Sequence, residues 1–171
     1  MYRPKPRTAA LFGLLLALWG GLACGLSSDK DQPIELEADS ADLDEGKGLS
    51  VYRGNVELRQ GSMRLQADTV TVKFHEGQAN QVIAEGRPVK FEQLPDDSKQ
   101  LVKGRARRAE YLISSEELIL IGDANLMQGK DSFKSDRIVY DRIKSKIKAG
   151  AAAEGKERVK ITIGSQRNNG K

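Results

Sequence analysis

Gly54-Asn55-Val56-Glu57-Leu58-Arg59-Gln60-Gly61 returns as Gly122-Asp123-Ala124-Asn125-Leu126-Met127-Gln128-Gly129, an offset of 68 positions. Each copy then runs on to an acid seven residues past its second glycine, Asp68 and Asp136. The identities Gly54/Gly122, Leu58/Leu126, Gln60/Gln128, Gly61/Gly129 and Asp68/Asp136 share that offset without a gap, and the apolar pairs Val70/Ile138 and Val72/Tyr140 fall on it too. Upstream it joins Ala38 to Ala106 and Ala41 to Ala109. Downstream, Glu85-Gly86-Arg87-Pro88-Val89-Lys90-Phe91 resembles the stretch from Glu154 to Ile161 after a slip of one residue. A glycine-punctuated unit repeated over most of residues 34–163 names an architecture of stacked β hairpins before any residue suggests a chemistry.

Within each copy apolar residues alternate with polar ones, the period of a half-buried strand. Ile34, Leu36 and Ala38 oppose Glu35, Glu37 and Asp39; Val56 and Leu58 oppose Glu57 and Arg59; Met63, Leu65 and Ala67 oppose Arg64 and Gln66. Val70, Val72 and Phe74 continue the pattern, as do Val159, Ile161 and Ile163 near the C-terminus. Gly54, Gly61, Gly86, Gly122 and Gly129 separate the runs, where a positive φ or a bulge is needed. Leu118-Ile119-Leu120-Ile121 is a continuous apolar run, short enough for a strand buried on both faces. No stretch after the leader carries a helical period. The expectation is an all-β fold of many short antiparallel strands, with one apolar face along its length. Leu94 to Gln100 reads as the longest mid-chain loop and the junction of the repeats, and the run from Ile143 to Ala153 is read as strand only on the strength of the repeat.

The ends set the compartment. Arg3, Lys5 and Arg7 precede the apolar stretch from Ala9 to Leu22, and Ala23-Cys24-Gly25 supplies small residues for cleavage. Residues 1–25 therefore read as a signal peptide, residues 26–164 as one domain and residues 165–171 as a disordered tail. A lipoprotein acylated at Cys24, or an uncleaved anchor, is the alternative reading. Cleavage after Gly25 removes the single cysteine, and with it disulfide and thiol chemistry. It also removes three cations and no acid, taking the formal charge from +4 to +1. The basic balance is thus a feature of the leader and no argument for nucleic acid. What remains is polarised: residues 29–48 are rich in Asp and Glu, residues 143–171 in Lys and Arg. Solvated strand faces and a head-to-tail contact between copies both fit that distribution.

Catalytic and cofactor motifs are weak throughout. Asp68 and Asp136 are the one candidate acid/base pair for a periplasmic polysaccharide hydrolase, yet their equivalence in the repeat argues against the two different environments such a pair needs. A local scaffold role in turns or strand starts is the reading preferred. His75 is alone beside Glu76-Gly77 and makes no metal site or triad. The glycines stand singly, so no phosphate loop forms. No cofactor and no metal are expected. Arg105 and Arg107 fall on one face by alternation and Arg108 on the other, so at most two of them meet one phosphate.

The stretch Asp31-Gln32-Pro33-Ile34-Glu35-Leu36-Glu37-Ala38-Asp39 is similar to the opening of the periplasmic lipopolysaccharide-transport protein A family, also called OstA-like. Val51-Tyr52-Arg53-Gly54-Asn55-Val56, Gln60-Gly61, Ala67-Asp68, Gly86-Arg87-Pro88 with Phe91, Lys103-Gly104 and the second copy through Tyr140 extend the likeness over about residues 29–163. The resemblance implies an elongated, slightly twisted antiparallel β jelly roll, built here from two tandem repeats and open along one edge. It implies an interior that grips the acyl chains of lipopolysaccharide, and head-to-tail self-association. It also implies docking to the inner- and outer-membrane jelly-roll domains of the export machinery, so that a bridge crosses the periplasm. ATP hydrolysis belongs to other subunits, so no active site is expected. On that basis the groove residues are Ile34, Leu36, Phe91, Tyr111 and Ile113. Their alternation is compatible with plain core packing as well.

Overall fold

The computed structural model describes residues 29–95, 98 and 100–164. The expected signal, Cys24 and the C-terminal tail lie outside them. Among the described residues ten strands form one sheet: β1 (Glu35–Glu37), β2 (Ser40–Asp44), β3 (Leu49–Gln60), β4 (Met63–His75), β5 (Gln78–Gln93), β6 (Val102–Leu112), β7 (Glu117–Gln128), β8 (Asp131–Asp141), β9 (Lys146–Ala149) and β10 (Lys160–Thr162). All pairings are antiparallel, and β3 to β8 follow one another as a meander. The short strands close both ends, β1 and β2 against β3, and β9 and β10 against β8. The run from Ile143 to Ala153 contains β9 and a 3-10 turn at Gly150–Ala153.

The expectation of many short strands is corrected. Six strands are long, and each is interrupted near its middle by a register shift: at Arg53/Val56, Gln66/Thr69, Glu85/Val89, Arg105/Arg108 and Ile121/Ala124. Together these irregularities draw a line across the sheet, and a bulge bends the strand that carries it. The sheet therefore folds back on itself along this line into two facing layers. Layer I holds β1, β10 and the halves of β3–β8 that meet at the turns 61–62 and 129–130. Layer II holds β2, β9 and the other halves. Contacts across the fold prove the closure: the Phe91 ring in layer I stands edge-on to Tyr140 in layer II, with centroids 6.3 Å apart.

The repeat encodes the bend line. Gly54 and Gly122 lie inside β3 and β7 with φ of 81° and 76°, and Asn55 and Asp123 follow at 45° and 50°. A Cβ on Gly54 would fall 2.2 Å from Asp39 Oδ2, and one on Gly122 2.7 Å from Arg107 Nε. Asp39 and Arg107 are themselves one repeat apart. Asn55 donates its amide to Asp39 (2.9 Å), and Arg107 pairs with Asp123 (3.2 Å). The two copies thus keep one geometry, with an amide–carboxylate hydrogen bond in the first and an ion pair in the second. Of the punctuating glycines only Gly61 and Gly129 close turns between strands; Gly54, Gly86 and Gly122 make bends within them.

Candidate functional site

Cross-strand register assembles the interior. On the inner face of layer I the chain of direct partners runs Leu36, Leu58, Leu65, Phe91, Gly104, Leu126, Phe133, Ile161. This apolar rung crosses every strand of the layer, about 34 Å at ordinary strand spacing. Layer II answers with Val72, Val82, Tyr111, Leu118, Tyr140 and Ile147, again direct partners in sequence. The long axis of the interior therefore runs across the strands, from the β1/β2 edge to the β9/β10 edge. Centrally the side chains are sealed: Leu58, Leu118, Leu126 and Tyr140 are at most 1% exposed. The rung loosens at its ends, with Leu36 half-buried and Ile161 54% exposed.

All five expected groove residues face this interior. Phe91 and Tyr111 are buried in it, and Ile34, Leu36 and Ile113 pack against it from its margins. Phe91 and Leu36 belong to layer I, and Tyr111 to layer II, so the set spans both walls. The layers are in contact here, since a Cβ on Gly104 would stand 2.9 Å from Leu120 Cδ1 across the fold. Alternation fails at the C-terminal margin, where Ile163 is 78% exposed. It lies beyond the last strand, where nothing among the described residues covers it. Ala38 is likewise exposed, beside the bend rather than in the core.

A polar group was invisible to sequence reading. Opposite the bend line the two layers end in free lips, formed by the turn 61–62 and the adjoining ends of β5 and β6 on layer I, and by the turns 113–116 and 142–145 on layer II. Arg142 follows β8 on the layer II lip, with its side chain only 1% exposed. Its Nε donates to Gln93 Oε1 of layer I (3.1 Å), and its Nη1 donates to the Tyr111 hydroxyl. Its guanidinium also lies 5.1 Å from the Tyr111 ring centroid. Tyr111 in turn meets Gln60 Oε1 across the gap (3.4 Å). Asp29, at the start of the described chain, accepts from the Ser62 N–H (2.7 Å), the Ser62 hydroxyl (2.6 Å) and the Gln93 amide (3.0 Å). Burial pushes the Asp29 carboxyl up, but these hydrogen bonds and the Arg142 charge outweigh it and hold it below the usual carboxylate range. Burial also raises the Tyr111 phenol, against the opposing charge of Arg142. No periodicity marks Arg142, because it stands in a turn.

The remaining candidates resolve plainly. Asp68 and Asp136 sit at the bend on β4 and β8, four strands apart, about 19 Å at ordinary strand spacing. Paired glycosidase carboxylates stand about 5–9.5 Å apart, so the hydrolase reading fails. Asp136 accepts from the Lys156 and Glu157 N–H groups (2.7 and 3.2 Å), which hold its carboxyl low. At Asp68 the equivalent of Glu157 is Pro88, which has no N–H to give. Both acids lie at mid-strand bends, not at the turns or strand starts expected, and Asp136 supports its bend through these bonds. The arginine assignment is also corrected. The irregularity between Arg105 and Arg108 turns Ala106 and Ala109 inward and leaves Arg105, Arg107 and Arg108 all on the outer face. Arg108 pairs there with Glu85 (2.7 Å) and Glu110 (2.8 Å). His75 is exposed.

Charge divides by edge. Glu35, Glu37 and Asp42 are exposed on β1 and β2, while Lys146, Lys148 and Lys160 are exposed on β9 and β10. The outer backbone edges of β1 and β10 have no partner strand among the described residues.

Comparison with known proteins gives one consistent answer. Residues 35–146 match the family described as LptA/(LptD N-terminal domain) LPS transport protein. The lipopolysaccharide export system protein LptH of Pseudomonas aeruginosa is 38% identical over 83% of this chain and 82% of its own. LptA of Escherichia coli K12 is 31% identical over 84% and 78%. The crystal structure of P. aeruginosa LptH, the LptA-homologous periplasmic component of the lipopolysaccharide transport device, superposes with a TM-score of 0.74 at 33% identity, covering 81% of this chain and all of that one. These are transport proteins, not enzymes. With a family match over most of the chain, and relatives this similar over about four fifths of their own length, the protein belongs to the LptA/LptD N-terminal-domain family of lipopolysaccharide-transport proteins.

Proposed function

We infer that this protein is a periplasmic carrier of lipopolysaccharide, exported by a signal cleaved after Gly25 and folded as one domain over residues 26–164. The observation that carries the reading is the apolar rung from Leu36 to Ile161, which runs unbroken by charge from one sheet edge to the other. A lipid crossing water exposes each methylene at about 0.8 kcal/mol, or about 10 kcal/mol for a chain of about twelve. A track along the rung removes that cost over the length of the sheet, while the sugar head stays in water beyond the lips. Ile34, Leu36, Phe91, Tyr111 and Ile113 would line the track. The interior is sealed in this structure, so loading requires the layers to part.

Copies would join head to tail, the acidic β1/β2 edge of one meeting the basic β9/β10 edge of the next. Such pairing satisfies free backbone edges, covers Ile161 and continues the rung from copy to copy. Jelly-roll domains of inner- and outer-membrane partners would dock at the two ends of the series by the same edges. The chain supplies binding and assembly and performs no chemistry of its own.

The test is binding of purified chain to lipopolysaccharide, competed by lipid A or by the free core oligosaccharide. Displacement by lipid A alone is the expected result. Equal displacement by the oligosaccharide would show a sugar site and contradict the reading.

A further inference from the structure

Arg142 is a buried cation whose charge is poorly answered. Its short contacts are to uncharged oxygens, Gln93 Oε1 and the Tyr111 hydroxyl, and to the Tyr111 ring. The one carboxylate within 4 Å of it among the described residues is Asp29, at 3.8 Å from Nη2. Asp29 is already committed to Ser62 and Gln93 by three shorter bonds. A guanidinium out of water with so distant a counter-ion is an unfavourable arrangement unless something compensates it. Its position is equally telling. Arg142 belongs to the lip of layer II, and Gln93 and Asp29 belong to the lip of layer I, so the cluster ties together the two walls that must separate for chains to enter.

We propose that Arg142 is both the latch of the mouth and the anchor for an anionic head group, a phosphate ester carried by the lipid whose chains enter the interior. In the empty protein Arg142 holds the lips together through Gln93 and Asp29, while Tyr111 beside it on layer II reaches Gln60. When acyl chains enter, the head group rests at the mouth, and its phosphate replaces the distant Asp29 carboxylate with a direct, forked contact. The lips then part, because the bond to Gln93 across the gap is exchanged for bonds to the ligand. Head-group recognition and opening become one event. The N-terminal segment takes part as a strap, since Asp29 holds the turn at Gly61-Ser62 and thereby the lip of layer I. Gly61 is required for this, as a Cβ there would lie 2.2 Å from Asp29 Oδ1.

The inference rests on the lipid-carrier reading, and its test separates the two. Two lipid A preparations with the same acyl chains, one phosphorylated and one dephosphorylated, are titrated into the exported chain. Spin labels at Leu101 on the layer I lip and Ser114 on the layer II lip report the width of the mouth. The expected result is binding of both lipids, with the phosphorylated one at least about tenfold tighter and widening the mouth by about 4 Å, the thickness of one chain in contact. Arg142→Gln should abolish the phosphate preference and leave the mouth wide without lipid. Asp29→Asn keeps the arginine and removes its competitor, so it should bind the phosphorylated lipid more tightly than the parent does; this variant serves if Arg142→Gln fails to fold. Equal binding of the two lipids by the parent protein would overturn the latch and leave the carrier intact. So would a phosphate preference that survives in Arg142→Gln, or an unchanged affinity in Asp29→Asn. Binding of neither lipid would overturn the carrier reading itself.

Discussion

Gly104 is the gap in the rung, and replacing it tests how closely the two layers meet. In Gly104→Ala the new Cβ would stand 2.9 Å from Leu120 Cδ1, 3.3 Å from Leu126 Cδ1 and 3.4 Å from Phe91 Cδ1. The first distance is about 1 Å inside an ordinary carbon–carbon contact. Leu120 is fully buried and cannot swing into solvent to relieve it. Overpacking of this kind costs about 1–3 kcal/mol. Against it stands the gain of about 0.5–1 kcal/mol when a strand glycine becomes alanine. The net expectation is a loss of about 1 kcal/mol, or about 3 °C in Tm for a domain of this size. Urea unfolding of the cycle Gly104→Ala, Leu120→Ala and the double variant measures it. Leu120→Ala alone should cost about 2–5 kcal/mol. In the double variant the methyl enters the space Leu120 vacates, so the two effects should fall short of additive by at least about 0.5 kcal/mol. Stabilisation by Gly104→Ala, or strict additivity, would refute the close approach of the layers at this point.

Gly54→Ala and Gly122→Ala should each destabilise by about 1–3 kcal/mol, because both glycines hold positive φ and have a neighbouring side chain where the Cβ would go; Asp39→Ala and Arg107→Ala respectively should recover the steric part, as chemical denaturation would show. The Asp29 carboxyl is held below its ordinary value in the fold, so its contribution is present above the unfolded value of about 3.9 and is lost as pH falls through the lower folded one. Thermal melts should therefore fall more steeply across that acid window in the parent than in Asp29→Asn, and parallel curves would remove Asp29 from the account. Association of copies should weaken with added salt and in Glu35→Lys/Glu37→Lys, measured by sedimentation, whereas association unaffected by either would leave strand pairing alone as its cause.

The sequence was legible where its period was simple. Alternation placed Leu58 and Leu65 inside, the family resemblance pointed to Phe91 and Tyr111, and the 68-residue offset announced stacked hairpins. It was misread where a bulge inserts a residue, because one extra position reverses every face beyond it. That is why Arg108 was expected opposite Arg105 and Arg107, and why one bent strand looked like two short ones. The repeated Gly and Asp were noticed, but their task depends on Asp39, Arg107 and Lys156, partners that meet them only in the folded sheet. Arg142 was illegible for a different reason. A lone arginine in a polar stretch reads as solvated, and only the closure of two layers buries it against Gln93 and Tyr111. Ile163 was expected inside because period does not say where a sheet ends.

The central claim, that acyl chains travel along the inner rung, is tested most directly by a photo-crosslinking scan in cells. Crosslinkers would occupy the adjacent pairs Glu57/Leu58, Lys90/Phe91, Glu110/Tyr111 and Asn125/Leu126, with folded protein confirmed at each position. The account predicts lipopolysaccharide adducts with a period of two residues, present at Leu58, Phe91, Tyr111 and Leu126 and absent at their neighbours. Adducts of equal strength on both faces, or on the outer face alone, would contradict it.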